Sequence, residues 1–185
     1  HLCGLGGDAI IMQSTPHNLA IFNGTGRTGF HQHHDNYLHK GLVSIPRRGI
    51  YSTMIYGCPS AYDRYTRLHD IDLNGVFKHL HDNDLKHGVV ASSSLIQAFD
   101  NSTKDSLRQT RFSQWNKYFI QQQDPAPFYR QTLATLAREG FASMYRGQLA
   151  AQVFDALSTC DPHLYTPEDF SDFTPNPSEV KKTTF

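Results

Sequence analysis

The chain has 185 residues, enough for one domain or a large part of one. Lysine plus arginine and aspartate plus glutamate each number 17, so the formal net charge is +0, which argues against a nucleic-acid module or a membrane-surface binder. Hydrophobic residues make up 38%, low for a self-sufficient core and only partly offset by 12% aromatics, so the composition suits a piece that completes its core against another chain.

The first third reads as extended. Asp8-Ala9-Ile10-Ile11-Met12-Gln13 and Asn18-Leu19-Ala20-Ile21-Phe22-Asn23 are short apolar runs separated by Ser14-Thr15-Pro16-His17, the pattern of a β-hairpin. Continuous apolar runs predict strands covered on both faces. Gly24, Gly26, Gly29 and Gly41 mark a long irregular loop. From Pro59 the signal turns helical. Ala61, Tyr65 and Leu68 share one face of a helix starting at Ser60, and Leu73, Val76, Phe77 and Leu80 mark a second. Tyr129, Leu133, Leu136 and Ala137 give a third, stopped by Gly140, and Ala150, Val153, Phe154 and Leu157 give a fourth. Thr166-Pro167-Glu168-Asp169 is a capped start with proline at the first helical position, and Pro175 and Pro177 close that helix. The polar stretch 101–124 reads as a surface excursion carrying a helix around Trp115. Two strands do not make a stable sheet, so the reading expects the rest of the sheet to come from other sequence.

The cysteines carry little. Cys3, Cys58 and Cys160 are odd in number and contain no C-x-x-C, implying neither a disulfide framework nor a zinc site. No apolar run approaches bilayer length, so no membrane partner is expected. The chain opens on His1 inside a motif, and the reading expects further sequence upstream.

Gly24-Thr25-Gly26-Arg27-Thr28-Gly29 matches G-x-G-x-x-G after a strand. A dinucleotide fold would need that loop to open a helix and an acidic residue some way on, and Phe30-His31-Gln32-His33-His34-Asp35 is a poor helix start. No nucleotide or other cofactor is therefore expected. An arginine between glycines at a strand end leaves two readings open: a solvated loop residue, or a guanidinium aimed into a pocket to bind a carboxylate bidentately. His31, His33, His34, Asp35 and His39 form a conspicuous cluster, but regular ligand spacing is missing and no cysteine joins. A polar loop able to tune a pocket's pH response is the plainer reading, and no metal site is assigned. Asn23-Gly24-Thr25 and Asn101-Ser102-Thr103 match the N-glycosylation pattern, which has meaning only in a secreted eukaryotic protein. G-x-S-x-G, H-E-x-x-H and Walker motifs are absent.

Several segments, in order, resemble the large subunit of γ-glutamyltranspeptidases. His1-Leu2-Cys3-Gly4-Leu5-Gly6-Gly7-Asp8 is similar to the family's glycine-rich strand entry. Asn23-Gly24-Thr25-Gly26-Arg27 resembles Asn-Gly-Ser-Gly-Arg. Ile45-Pro46-Arg47-Arg48-Gly49 through Gly57 and Ala61-Tyr62 resembles Ile-Pro-x-Arg-Gly, Val-Pro-Gly and a following helix. Leu133 to Gly140, then Met144-Tyr145-Arg146-Gly147-Gln148-Leu149-Ala150, looks like Leu-x-x-Ile-Ala-x-Glu-Gly and Phe-Tyr-x-Gly-x-Leu-Ala, and Thr166-Pro167-Glu168-Asp169-Phe170 is similar to the capped helix after them. The likeness spans nearly the whole chain.

The resemblance implies an α+β fold of the N-terminal-nucleophile (Ntn) hydrolase type, an αββα sandwich. Residues 1–185 would be one large-subunit core segment, supplying mostly helices and a few strands, with another chain completing the sheets. It implies a precursor that cuts itself to free a threonine, the nucleophile, at the start of a small subunit, so no catalytic residue is expected in this chain. Arg27 matches the family arginine that binds the substrate carboxylate, on a γ-glutamyl or N-acyl amino-acid substrate. Thr28-Gly29 stands where the family has Ala-Pro, and Ile55-Tyr56-Gly57 where it has Val-Pro-Gly. These departures keep two alternatives in play: a biosynthetic relative hydrolysing another amide or a C–C bond, and an inactive binding homologue. Family members of different kinds are periplasmic, secreted or cytoplasmic, so no compartment is assigned. Lys181-Lys182-Thr183-Thr184-Phe185 reads as entry to a strand rather than the cleavage site.

Overall fold

The computed structural model describes residues 4–46, 49–87, 92–94, 97 and 127–175. Contacts divide them into two compact units, one drawn from residues 72–138 and the other from residues 2–71 and 139–185.

In the second unit, β1 (Ala9–Ser14) pairs antiparallel with β2 (Leu19–Gly24), and the register sets Met12 opposite Ile21 and Ile10 opposite Asn23. The hairpin matches the sequence reading with its ends moved by a residue. The turn closes because Thr15 N–H donates to the Asn18 carbonyl at 2.8 Å while Asn18 N–H donates to Thr15 Oγ1 at 3.0 Å. Serine and threonine hydroxyls favour turns by this local bonding. The predicted double cover is absent among the described residues. Side chains alternate along β1, and Ile10 and Met12 on one face are 70% and 68% exposed.

Helix α2 (Cys58–Leu68) lies against the hairpin, starting two residues before the predicted Ser60. Pro59 sits in its first turn, where a missing N–H removes no helix bond. Ala61 is fully buried, and the Tyr65 ring meets Phe22 edge-on at 5.4 Å. Leu68, predicted on the same face, is 63% exposed, and the end of the helix meets the hairpin instead through His69, whose Nε2 lies 2.8 Å from Gln13 Oε1. Two glycines allow the close approach at the helix start. A Cβ on Gly24 would stand 2.7 Å from both Ala61 Cβ and the Gly57 carbonyl, and one on Gly57 would run into the main chain of Gly24 and Thr25.

The segment predicted as one long irregular loop contains a helix, α1 (His34–His39). Its only buried residue is Tyr37, too little to leave a periodic signal. Tertiary bonds hold it instead. Tyr37 Oη donates to the Tyr51 carbonyl at 2.8 Å, and Lys40 at its end pairs with Asp161 at 2.5 Å. Gly41, at φ +74°, follows in the left-handed region that ends helices.

A short 3-10 turn (Phe141–Met144) carries Phe141, stacked on Tyr62 at 5.4 Å. Two tyrosines then lock this turn to the segment before α2. Tyr56 Oη donates to the Met144 carbonyl at 2.5 Å, and Tyr145 Oη donates to the Tyr56 carbonyl at 2.8 Å. Tyr145 also stacks on Phe173 at 4.8 Å. Burial pushes both phenol groups well above their ordinary pKa, so they stay protonated donors. Further buried apolar side chains come from α5 (Gln148–Ser158), through Leu149 and Ala150, from Leu164 and Tyr165 in the segment after it, and from α6 (Pro167–Ser171), through Phe170. The last helix ends before Pro175, which is therefore not what stops it.

The first unit contains α3 (Leu73–His87) and α4 (Pro127–Glu139, its last residue falling in the second unit). Phe77, Leu133 and Ala134 line a shared apolar cleft between these helices, whereas Val76 and Leu80 are nearly half exposed. Gly140 follows α4 at φ +74°, where the sequence placed the stop. The helix read around Trp115, the strand at 181–185 and Arg47-Arg48 lie outside the described residues. Among the described residues, no helix is long and apolar enough to cross a membrane.

Candidate functional site

The loop after β2 is built to hold one side chain in place. Asn23 Oδ1 accepts from Thr25 N–H at 2.9 Å and Thr25 Oγ1 at 2.6 Å, turning the chain out of the strand. Gly26 N–H donates to Asp8 Oδ1 at 2.8 Å, and a Cβ on Gly26 would strike the Ile55 carbonyl, so glycine permits the next contact. That contact is a β-bridge. Arg27 N–H donates to the Ile55 carbonyl at 3.1 Å, and Ile55 N–H returns a bond to the Arg27 carbonyl at 2.8 Å. Ile55 is fully buried, so the main chain of Arg27 is fixed on the core.

The guanidinium is held as firmly, and by residues distant in sequence. Arg27 Nη2 donates to the Asp169 carbonyl at 3.0 Å, and Nη1 lies 3.9 Å from the buried Asp169 carboxylate. The Phe30 ring covers the guanidinium at 4.6 Å, a cation–π contact. The Arg27 side chain remains 30% exposed. A planar cation with five N–H donors, partly desolvated and still open to solvent, can bind a carboxylate bidentately. The loop therefore carries a fixed guanidinium, unlike a solvated loop arginine.

Beneath it lies a polar network. Gly29 N–H donates to Gln32 Oε1 at 2.6 Å, and Gln32 Nε2 donates to the Thr53 carbonyl at 2.6 Å and to Tyr165 Oη at 2.9 Å. Tyr165 Oη in turn donates to the Thr53 carbonyl at 2.6 Å, and burial raises its pKa so that the proton stays. This network accounts for one departure from the family pattern. A Cβ on Gly29 would come within 3.0 Å of the Tyr165 ring, and a proline would remove the N–H that Gln32 accepts. Tyr56 is explained likewise, since its hydroxyl ties the segment that a proline would otherwise stiffen.

The histidine cluster does not converge. His31 and His33 are exposed loop residues, His34 and His39 are exposed on α1, and His34 reaches only its neighbour Asp35, at 3.3 Å. Among the described residues, no three His, Cys, Asp or Glu side chains are grouped as metal ligands. Asp169, Phe30, Gln32 and Tyr165 were not singled out at this site by sequence. The capping pattern marks Asp169 as a helix residue, but its contact with Arg27 spans 142 positions and leaves no local signal.

The solved structures that this chain resembles are members of the Ntn-hydrolase fold, to which its described residues contribute helices and one two-stranded sheet. The chain is similar to a cephalosporin acylase from Bacillus halodurans, with a TM-score of 0.74 at 21% identity, over 94% of this chain and 34% of that one. It is also similar to a γ-glutamyltranspeptidase from Pseudomonas nitroreducens in complex with L-DON, with a TM-score of 0.70 at 15% identity, over 93% of this chain and 52% of that one. The chain thus spans about a third and about half of the lengths of these two structures. The family model for gamma-glutamyltranspeptidase matches residues 1–184, and the chain belongs to that family. No curated protein matches it significantly.

Proposed function

We propose that this chain is the core of the large subunit of an Ntn amidohydrolase or acyltransferase, and that Arg27 binds the carboxylate of a γ-glutamyl or N-acyl amino-acid substrate. The observation that carries this reading is the geometry of Arg27: main chain bridged to buried Ile55, guanidinium braced by Asp169 and Phe30, side chain 30% exposed. The nucleophile is a threonine at the start of a second chain. Its hydroxyl attacks the amide carbonyl while its own α-amine takes the proton, backbone N–H groups stabilise the oxyanion, and the acyl group passes to water or an amine. The open apolar face of β1, with Ile10 and Met12 exposed, supports cover of that face by sequence outside this chain, and a two-stranded sheet leaves edges for further strands. The same two-chain plan requires a precursor that cuts itself.

The departures at Gly29 and Tyr56 are built into the packing, and that favours a working site over a decayed homologue. Phe30, 54% exposed beside the arginine, gives an acyl amide other than γ-glutamyl its support as the second reading. N-terminal sequencing of the chain that co-purifies with active protein tests the proposal, and a partner without an N-terminal Thr, Ser or Cys overturns it. Turnover of γ-glutamyl-p-nitroanilide against a panel of N-acyl amino acids separates the two substrate classes. Arg27→Ala should cost about 2–5 kcal/mol of substrate binding, read mainly in KM, with processing intact. A catalytic efficiency near wild type would remove Arg27 from the site.

A further inference from the structure

We infer that Asp169 is the positioning residue for Arg27, and that the substrate carboxylate is read through the docking of α6 as well as by the guanidinium itself. This rests on the carboxylate-binding reading of Arg27 above. Asp169 is fully buried and each of its acceptors is engaged. Its main-chain carbonyl takes Arg27 Nη2, its Oδ1 accepts Phe30 N–H at 2.6 Å, and its Oδ2 accepts Thr166 N–H at 2.8 Å.

The three bonds have one geometric result. The Phe30 bond places the ring that covers one face of the guanidinium, the Thr166 bond fixes the start of α6, and that start presents the carbonyl holding Nη2. Arg146 Nε donates to the Ser171 carbonyl at 2.9 Å and secures the other end of the same helix. The negative side chain lies 3.9 Å from Nη1, close enough to orient the cation and too far to occupy its donors as a hydrogen bond would. The contacts to Asp169 and Thr28 commit at most two of the five guanidinium N–H groups, leaving enough for a bidentate ligand. Carboxylate chemistry is required because both oxygens receive backbone N–H groups. An asparagine would turn its own NH2 toward one of these donors.

The test is the ratio of kcat/KM for γ-glutamyl-p-nitroanilide to that for its α-carboxamide counterpart, in the full-length enzyme. Arg27→Ala comes first. If it leaves the ratio unchanged, the carboxylate reading of Arg27 fails, and this inference with it. Once Arg27→Ala collapses the ratio, Asp169→Asn should lower it about tenfold through KM of the charged substrate. Equal losses on both substrates, or no change in ratio, would make Asp169 merely structural and overturn the inference. A second measurement needs no turnover and covers a wild type inactive on these probes: phenylglyoxal labelling of Arg27, read by peptide mass. Its rate should rise several-fold in Asp169→Asn and stay constant in the control Asp172→Asn, each folded by circular dichroism. Equal rates in all three proteins refute the inference. Asp169→Ser, which suits a helix start, replaces Asp169→Asn if that variant does not fold, with the same outcomes deciding.

Discussion

Gly57→Ala tests whether the close approach of β2 and α2 sets the position of Arg27. The backbone of Gly57, at φ −101° and ψ −22°, suits any residue, so conformational strain predicts no cost. Space predicts a large one. The added Cβ would run into the main chain of Gly24 and Thr25, atoms that cannot rotate away as a side-chain tip could. Overpacking of this kind costs about 3 kcal/mol when backbone must move. In a folding unit of this size or larger that corresponds to a melting temperature lower by about 10 °C at most. The displaced segment leads within two residues to Arg27, and a shift of about 1 Å there should reduce kcat/KM by up to about 100-fold. Differential scanning calorimetry and steady-state kinetics on the full-length enzyme read both effects. Gly6→Ala is the control, since nothing lies within 4 Å of a Cβ at that position. A Gly57→Ala protein that melts and turns over like the control would refute the steric argument.

Further outcomes follow from the same packing. Tyr56→Phe removes the hydroxyl that serves the buried Met144 carbonyl and should destabilise by about 1–3 kcal/mol in urea titration, with an unchanged m-value. Gly29→Pro, which introduces the family's proline, should cost about 2 kcal/mol by the same measurement, because Gln32 Oε1 loses its donor. Lys40→Met should lose about 1.5 kcal/mol near neutral pH, where Lys40 and Asp161 are both charged. The Lys40 bond holds the Asp161 pKa below its ordinary value, more strongly than burial raises it. A depressed carboxyl stabilises fully above its unfolded value of about 3.9 and loses that contribution as pH falls through its lower folded value. The gap between wild type and Lys40→Met should therefore close as pH drops below about 4, and a gap constant from pH 7 to 3 would refute the pairing.

Local chemistry by itself determined most of the elements. The hairpin follows from two apolar runs around a Thr-Pro turn, α4 and its stop from a 3.6-residue stripe and Gly140, and α6 from Thr166-Pro167 at its start. Each signal is complete within a few residues of chain. Motif order added the family and with it the choice of Arg27, which composition and spacing had left between a clamp and a solvated loop residue. Tertiary structure decided the rest. Helix α1 exists because Tyr37 and Lys40 bond to Tyr51 and Asp161, partners 14 and 121 residues away. The Arg27 guanidinium donates to the Asp169 carbonyl, 142 residues along the chain. Periodicity cannot encode such contacts, because they follow from which surfaces meet after burial and not from the neighbours of either residue.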